Sequence, residues 1–354
     1  MKRSKTYTLW TVIFFLIIAH TAFSQSRWQI SNRFQTLFEH DNNVEESIRD
    51  ALAAQSVRFL FQARATRIGQ QSQINFSYQG GLQIYNDFVI ENKLINEGQI
   101  NYFFNVLPRL KLGVRAFGRL KLFLNRETDY ALGYVSPFLQ MQLSKKLTVQ
   151  TGVRQENLDY AKSNYYDYKS PSVFVEMTKR FSNHISISPF FSYATYSYNR
   201  FVFQLFPTFS EVYAPKQRDH ATLFSLRADW LWKGWLVNLS ANYERYNSNS
   251  YGYEYRKQYI TAMIGKNFRG FLIRAVGEWQ RKKYLDDLLP AWPLELDTER
   301  EQSNFLVLDL SRDVTSSLTC VIRFAWYKNE SPWASFYYNK QLVNAGVEFR
   351  LPME

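Results

Sequence analysis

The chain predicts an all-β fold, a transmembrane antiparallel up-and-down β-barrel of about sixteen strands behind a cleaved signal peptide. Three observations carry this: a recurrence of tight turns, strict two-residue alternation between them, and a composition that is aromatic yet polar on average. The turns lie at Gly69–Ser72, Pro108–Arg109, Ser144–Lys146, Ser182–His184, Lys233–Gly234, Arg269–Gly270 and Asp313–Ser317. They recur every ~36–50 residues, and each interval holds two alternating runs joined by a second, usually longer, connection. Short turns at one end and longer loops at the other, along a whole chain, mark a membrane barrel. Seven hairpins and two free terminal strands bring the count to about sixteen. It falls to about fourteen if the first strand or the Phe305–Ser311 region behaves differently.

The first residues stand apart. Lys2, Arg3 and Lys5 form a basic segment, Leu9 to Ala19 an apolar one, and Ala22-Phe23-Ser24 a small-x-small cleavage site before Gln25. This is the pattern of a secretory signal peptide over residues 1–24, leaving 25–354 as a single barrel domain. Removing its three basic residues leaves 40 Lys+Arg against 31 Asp+Glu, so the mature chain stays basic. No later stretch is apolar for long enough to form a spanning helix. The mean hydropathy is negative, as expected when one face of each strand meets lipid and the other water.

The alternation is legible strand by strand. Ile74, Phe76, Tyr78, Leu82 and Ile84 alternate with Gln73, Asn75, Ser77, Gln79 and Gln83. Leu112, Val114, Leu120 and Leu122 alternate with Lys111, Arg115, Arg119 and Lys121. Period two places each set on its own face of a sheet. The runs of about 10–15 residues exceed the usual five or six of soluble sheets and suit tilted spanning strands. The segment Arg256–Phe268 leaves open which face meets lipid. The single cysteine, Cys320, excludes internal disulfides and falls on an apolar face.

Phe, Tyr and Trp make up 18% of the chain, enough to supply two interfacial girdles. Trp230, Trp232, Trp235, Phe268 and Phe271 flank short turns and suit the periplasmic girdle. Tyr193, Tyr196, Tyr198, Tyr243 and Tyr246 lie near the opposite strand ends and suit the outer one. The longest loops, Phe201–Arg218 and Asp286–Glu299, would face outside. Phe201, Phe203 and Phe206 of the first would constrict the lumen if the loop folds inward.

Turning the polar face inward lines the lumen with a basic ladder, Lys111, Arg115, Arg119 and Lys121, and with Arg58, Arg64, Arg154, Arg227, Arg274 and Arg323. Inward acids are fewer, among them Glu39, Glu156, Glu176, Asp229, Glu244, Glu278, Asp309 and Glu348. Cross-strand pairing consumes part of this charge, and the remainder favours anions. The chemistry of enzymes is not apparent. His184 and Ser186 sit at a short turn, and Asp286 and Asp287 have no sequence-adjacent His, although His40 and His220 could approach from other loops. No phosphate loop, metal cluster or dinucleotide fingerprint appears, so no cofactor and no metal are expected.

Two stretches resemble known bacterial barrels. Phe38-Glu39-His40-Asp41-Asn42-Asn43-Val44 resembles the YDDNV or YDSNV stretch opening many barrels tied to exopolysaccharide export or surface-lipoprotein assembly. Tyr327-Lys328-Asn329-Glu330-Ser331-Pro332, followed by Tyr338-Asn339-Lys340, is similar to the closing hairpin of that group. The terminal Asn344-x-Gly346-x-x-Phe349-x-Leu351 resembles the β-signal read by the barrel-assembly machinery. The resemblance implies insertion by that machinery into the outer membrane of a Gram-negative-type bacterium, as a multi-pass strand protein.

These features lead to an outer-membrane channel with a water-filled, mildly anion-favouring lumen. It would serve as a diffusion pore or as the conduit of an envelope polymer (exopolysaccharide) export system. The alternative is an occluded structural or surface-binding barrel with no transport role. Expected partners are outer-membrane lipids and lipopolysaccharide, with anionic solutes or polysaccharide as cargo. Nucleic acid is not a partner expected of an exported barrel, and the oligomeric state is left open.

Overall fold

A computed structural model of the chain describes residues 28–44, 46, 51–124, 129–202, 215–286, 304–329 and 338–351. The expected signal peptide, Phe203 and Phe206 lie outside the described residues. Sixteen strands run in order: β1 (Trp28–Asp41), β2 (Ala54–Ile68), β3 (Ser72–Tyr85), β4 (Lys93–Leu107), β5 (Leu110–Phe123), β6 (Tyr130–Ser144), β7 (Leu147–Tyr160) and β8 (Tyr168–Arg180). Then follow β9 (Ile185–Phe201), β10 (Lys216–Trp232), β11 (Trp235–Ser248), β12 (Tyr255–Phe268), β13 (Phe271–Tyr284), β14 (Asn304–Asp313), β15 (Leu318–Asn329) and β16 (Tyr338–Leu351). Each strand pairs with the next and β16 returns to β1, closing the sheet. The count is sixteen because β1 is laddered on both sides and β14 is a full partner of β13 and β15. The seven tight turns join β2 to β3, β4 to β5, β6 to β7, β8 to β9, β10 to β11, β12 to β13 and β14 to β15.

Closure turns the two-residue period into an inside and an outside. In β5 the odd positions Lys111, Arg115, Arg119 and Lys121 share one face, and Leu112, Val114, Leu120 and Leu122 the other. Glu39, Arg58, Gln83, Lys93, Lys121 and Arg323, drawn from six strands, border one cavity of about 340 Å³. Side chains spread over so wide an arc can meet only on the concave side, so the polar face is the inner one. The register settles β12: Lys257 lies opposite Glu244, and Thr261 opposite Glu278, so Lys257, Tyr259 and Thr261 point inward. Arg256, Gln258, Ile260 and Ile264 therefore point outward. Cys320 is exposed among the outward positions of β15.

At the short-turn end Trp230, Trp232 and Trp235 stand on the outer face, between 38% and 50% exposed. Lys266 Nζ lies 4.5 Å over the Trp235 ring and Lys233 Nζ 5.0 Å over Trp232. An amphipathic ring capped by an ammonium suits the membrane–water boundary.

Two of the turns have φ > 0 at both central residues: Lys233 (45°) with Gly234 (79°), and Arg269 (51°) with Gly270 (81°). That is the requirement of the two-residue hairpin turn whose twist matches its strands. A Cβ on Gly234 would meet nothing within 4 Å, so its replacement tests backbone conformation alone. Gly234→Val should cost about 1–2 kcal/mol, and Gly234→Asn markedly less, as read from urea unfolding in detergent micelles.

The seam between the last and first strands is tied from inside by Glu39, which is 3% exposed. Its carboxylate accepts Arg58 Nη2 at 2.9 Å, Gln83 Nε2 at 2.6 Å and Asn344 Nδ2 at 2.9 Å. These partners lie on β2, β3 and β16, so one side chain links four strands across the closure. Beside it Lys340 Nζ is 2.9 Å from Asp41. Gly346 sits opposite Leu37, and a Cβ there would lie 1.9 Å from the Thr36 carbonyl oxygen and 2.9 Å from the Leu37 Cα. The backbones approach too closely for any side chain.

Candidate functional site: the inner face of the barrel

The β5 ladder is opposed by β4. Glu97 lies opposite Arg119 and Asn101 opposite Arg115. Arg119 Nε donates to Glu97 Oε1 at 2.7 Å, and Arg115 Nε to Asn101 Oδ1 at 3.0 Å. Lys121 Nζ lies 4.6 Å over the Phe123 ring. Arg119 is thus largely neutralised by Glu97, a carboxylate that reading the basic strand alone overlooked. The alternation of β4 (Lys93, Ile95, Glu97, Gln99, Asn101) would have found it, since every odd position there faces the odd positions of β5.

Most other expected inner cations are paired. Arg58 binds Glu39, Arg274 and Arg323 share Asp309, and Arg227 lies 3.0 Å from Glu176 and 3.5 Å from Asp229. Such cross-strand pairs fix the wall while cancelling its charge. Among the described residues, Arg64, Lys111, Arg115 and Arg154 have no carboxylate within ion-pair distance. The Arg154 guanidinium lies 4.5 Å over the Tyr134 ring. Glu156, Glu244 and Glu278 instead accept hydroxyls of Tyr168, Tyr255 and Thr261 at 2.7, 2.9 and 3.2 Å. The unpaired cations gather on β2, β5 and β7, and the hydroxyl-bound acids on β7, β11 and β13.

One aromatic side chain on this face, Phe138, is laid flat. A Cβ at Gly113 would lie 2.2 Å from the Phe138 ring, and one at Gly152 2.8 Å from Phe138 Cβ. The two glycines form the slot into which Phe138, 4% exposed, is folded. A ring held along the wall takes less of the bore than one projecting across it.

Three tyrosines expected in the outer lipid girdle are instead inside. Tyr193 and Tyr243 do point outward, but Tyr196, Tyr198 and Tyr246 have the opposite parity along β9 and β11. Tyr246 is 8% exposed and donates to Asp219 Oδ2 at 2.7 Å. Proximity to a strand end suggests a girdle, whereas the two-residue period decides which side of the wall a ring occupies. Ring contacts link Tyr168 to Tyr196 (5.1 Å), Tyr196 to Tyr246 (5.8 Å), Tyr246 to Tyr255 (4.8 Å) and Tyr255 to Tyr284 (6.0 Å). The result is a continuous tyrosine arc inside the long-loop end, from β8 to β13. Cations lie over it: Arg200 is 4.5 Å from the Tyr198 and Tyr253 rings, and Lys282 is 4.4 Å from Tyr255.

Phe201 ends β9 at 65% exposure, on the opposite side of the strand from the buried Arg200. Of the terminal motif, Asn344 and Gly346 face inward at the seam. Phe349 and Leu351 face outward, 43% and 53% exposed. His220 stands on the outer face, 2.9 Å from the Tyr193 hydroxyl, and Asp286 accepts the Gly252 amide at 2.7 Å.

No family model and no curated protein matches the chain. Among solved structures it is similar to Pseudomonas putida OprB, with a TM-score of 0.54 at 10% identity over 92% of this chain and 94% of that one. Acinetobacter baumannii OccAB1 scores 0.49 at 10% identity (92% and 97% covered), and Pseudomonas aeruginosa OpdQ 0.47 at 9% (92% and 98%). At such identity the likeness to OprB concerns fold. The chain is a closed sixteen-strand antiparallel barrel with the fold of OprB, apolar outside and polar inside.

Proposed function

We propose that the barrel is an outer-membrane diffusion channel with a water-filled lumen that mildly favours anions. Sixteen strands make a barrel wide enough to leave an aqueous bore. The observation that carries the selectivity is the set Arg64, Lys111, Arg115 and Arg154, clear of carboxylates. A low-dielectric wall focuses their field into the lumen. The preference is mild because Glu156, Glu244 and Glu278, bound by hydroxyls, also face the lumen.

The test is single-channel conductance of the refolded mature protein in planar bilayers under a salt gradient. Steady steps with an anion-selective reversal potential are expected. The Lys111→Glu/Arg115→Glu variant should move that potential to the cation side. Arg119→Glu is the wrong reversal, since it would place two carboxylates opposite each other. Silence from a correctly folded barrel would overturn the diffusion channel and favour the occluded, surface-binding alternative. A polymer conduit is favoured by one observation, the tyrosine arc, whose partly exposed Tyr196, Tyr198, Tyr255 and Tyr284 offer rings to sugars and whose partly exposed Lys282 offers charge to their carboxylates. Block of the current by an acidic oligosaccharide, and not by a neutral one of equal length, would select that reading.

A further inference from the structure

The outer wall of β11–β13 carries a row of like charges that no carboxylate among the described residues balances. Arg245 on β11 lies directly opposite Arg256 on β12, and Arg256 directly opposite Lys283 on β13. Arg281 lies two residues from Lys283 on the same face. All four are exposed, alternating with the covered inward residues Tyr246, Lys257 and Lys282. Like charges directly opposite on neighbouring strands repel, and among the described residues no carboxylate lies within ion-pair distance of any of them. Arg245 Nε donates only to Asn247 Oδ1, at 2.9 Å.

The height of the row identifies what it meets. From Trp235 at the short-turn girdle to Arg245 is ten residues along β11, or ~33 Å at about 3.3 Å each. A strand tilt of ~40° makes that ~25 Å along the barrel axis, the height of the apolar band of such barrels. The cations therefore stand where the hydrocarbon of the outer leaflet ends and head groups begin. Directly below them on the same face is an apolar groove of about 530 Å³, bordered by Ile260, Ala262, Ala275, Gly277, Trp279 and Leu306.

We infer that this face is a binding site for a phosphorylated, acylated lipid of the outer leaflet, its phosphates on Arg245, Arg256, Lys283 and Arg281 and an acyl chain in the groove. Arginine and lysine recognise phosphate through charge-assisted hydrogen bonds, and the groove supplies the apolar contact that a soluble anion could not use.

The experiment is native mass spectrometry of the refolded mature protein with bis-phosphorylated lipid A and with its dephosphorylated form as probes. The wild type should retain the phosphorylated lipid at least ten-fold more strongly than the dephosphorylated one. Arg245→Gln/Arg256→Gln/Lys283→Gln should lose that ten-fold, and it should still fold because the change relieves repulsion. Ala262→Phe, which fills the groove and leaves the charges, should weaken both lipids alike. Equal retention of the phosphorylated lipid by the triple variant and the wild type would overturn the site. Displacement of the lipid by an equal concentration of inorganic phosphate would overturn the lipid assignment, showing a general anion patch instead.

Discussion

Gly346→Val should cripple closure of the barrel. Its Cβ would enter the space of the Thr36 carbonyl, at 1.9 Å, and its nearest neighbours are all backbone atoms of β1. No rotamer relieves a backbone clash, so either the β1–β16 ladder separates or both strands shift. Overpacking of this kind costs about 1–3 kcal/mol or more, here at the ladder on which closure depends. The measurement is the heat-modifiable band on semi-native gels after refolding into detergent, with urea unfolding of whatever folds. The same glycine lies in the terminal motif that resembles an insertion signal, and refolding without assembly machinery separates the two roles. A packing defect persists in detergent, whereas Phe349→Ala, altering an outward residue of the motif, should refold as the wild type does. Wild-type refolding of Gly346→Val would show that the seam tolerates a side chain.

Glu39→Ala is expected to rank next. Its carboxylate is nearly inaccessible and receives donors from three other strands. Truncation leaves the Arg58 guanidinium and the amides of Gln83 and Asn344 without their acceptor. Breaking a buried pair by removing one partner costs about 3–5 kcal/mol. The low end, about 3 kcal/mol, applies here because 24% of the Arg58 side chain remains exposed. Glu39→Gln keeps an acceptor oxygen and should cost less. A double-mutant cycle with Arg58→Met isolates the charge–charge contribution from the hydrogen bonds, read from urea midpoints in one detergent. A loss under 1 kcal/mol for Glu39→Ala would mean that water replaces the carboxylate and that the seam is held by its ladder alone.

Much of the inner wall was legible residue by residue. The parity of Lys111, Arg115, Arg119 and Lys121 follows from counting by twos along one strand, and so does the outward position of Cys320. What counting along one strand misses is the partner across it. Arg119 belonged to a basic excess until the register set Glu97 against it. Tyr196, Tyr198 and Tyr246 looked like girdle residues because they lie near strand ends, and only their parity, checked against Asp219 and Tyr255, moves them inside. In β12 the two faces are similar in composition, so alternation by itself could not orient it. Pairing of Lys257 with Glu244 across the ladder did.

The sequence by itself determined the architecture: the hairpin rhythm, a count near sixteen strands, the turn positions and the apolar–polar division of the strands other than β12. These are local properties, written in the two-residue period and in turn residues such as Gly234 and Gly270. Only the tertiary structure decided which charges cancel, how the seam is tied by Glu39 and Gly346, that tyrosines line the long-loop mouth, and that Arg245, Arg256 and Lys283 form one row outside. Each of these depends on register between strands, including β1 and β16 at opposite ends of the chain. A shift of one residue would send every side chain to the other face.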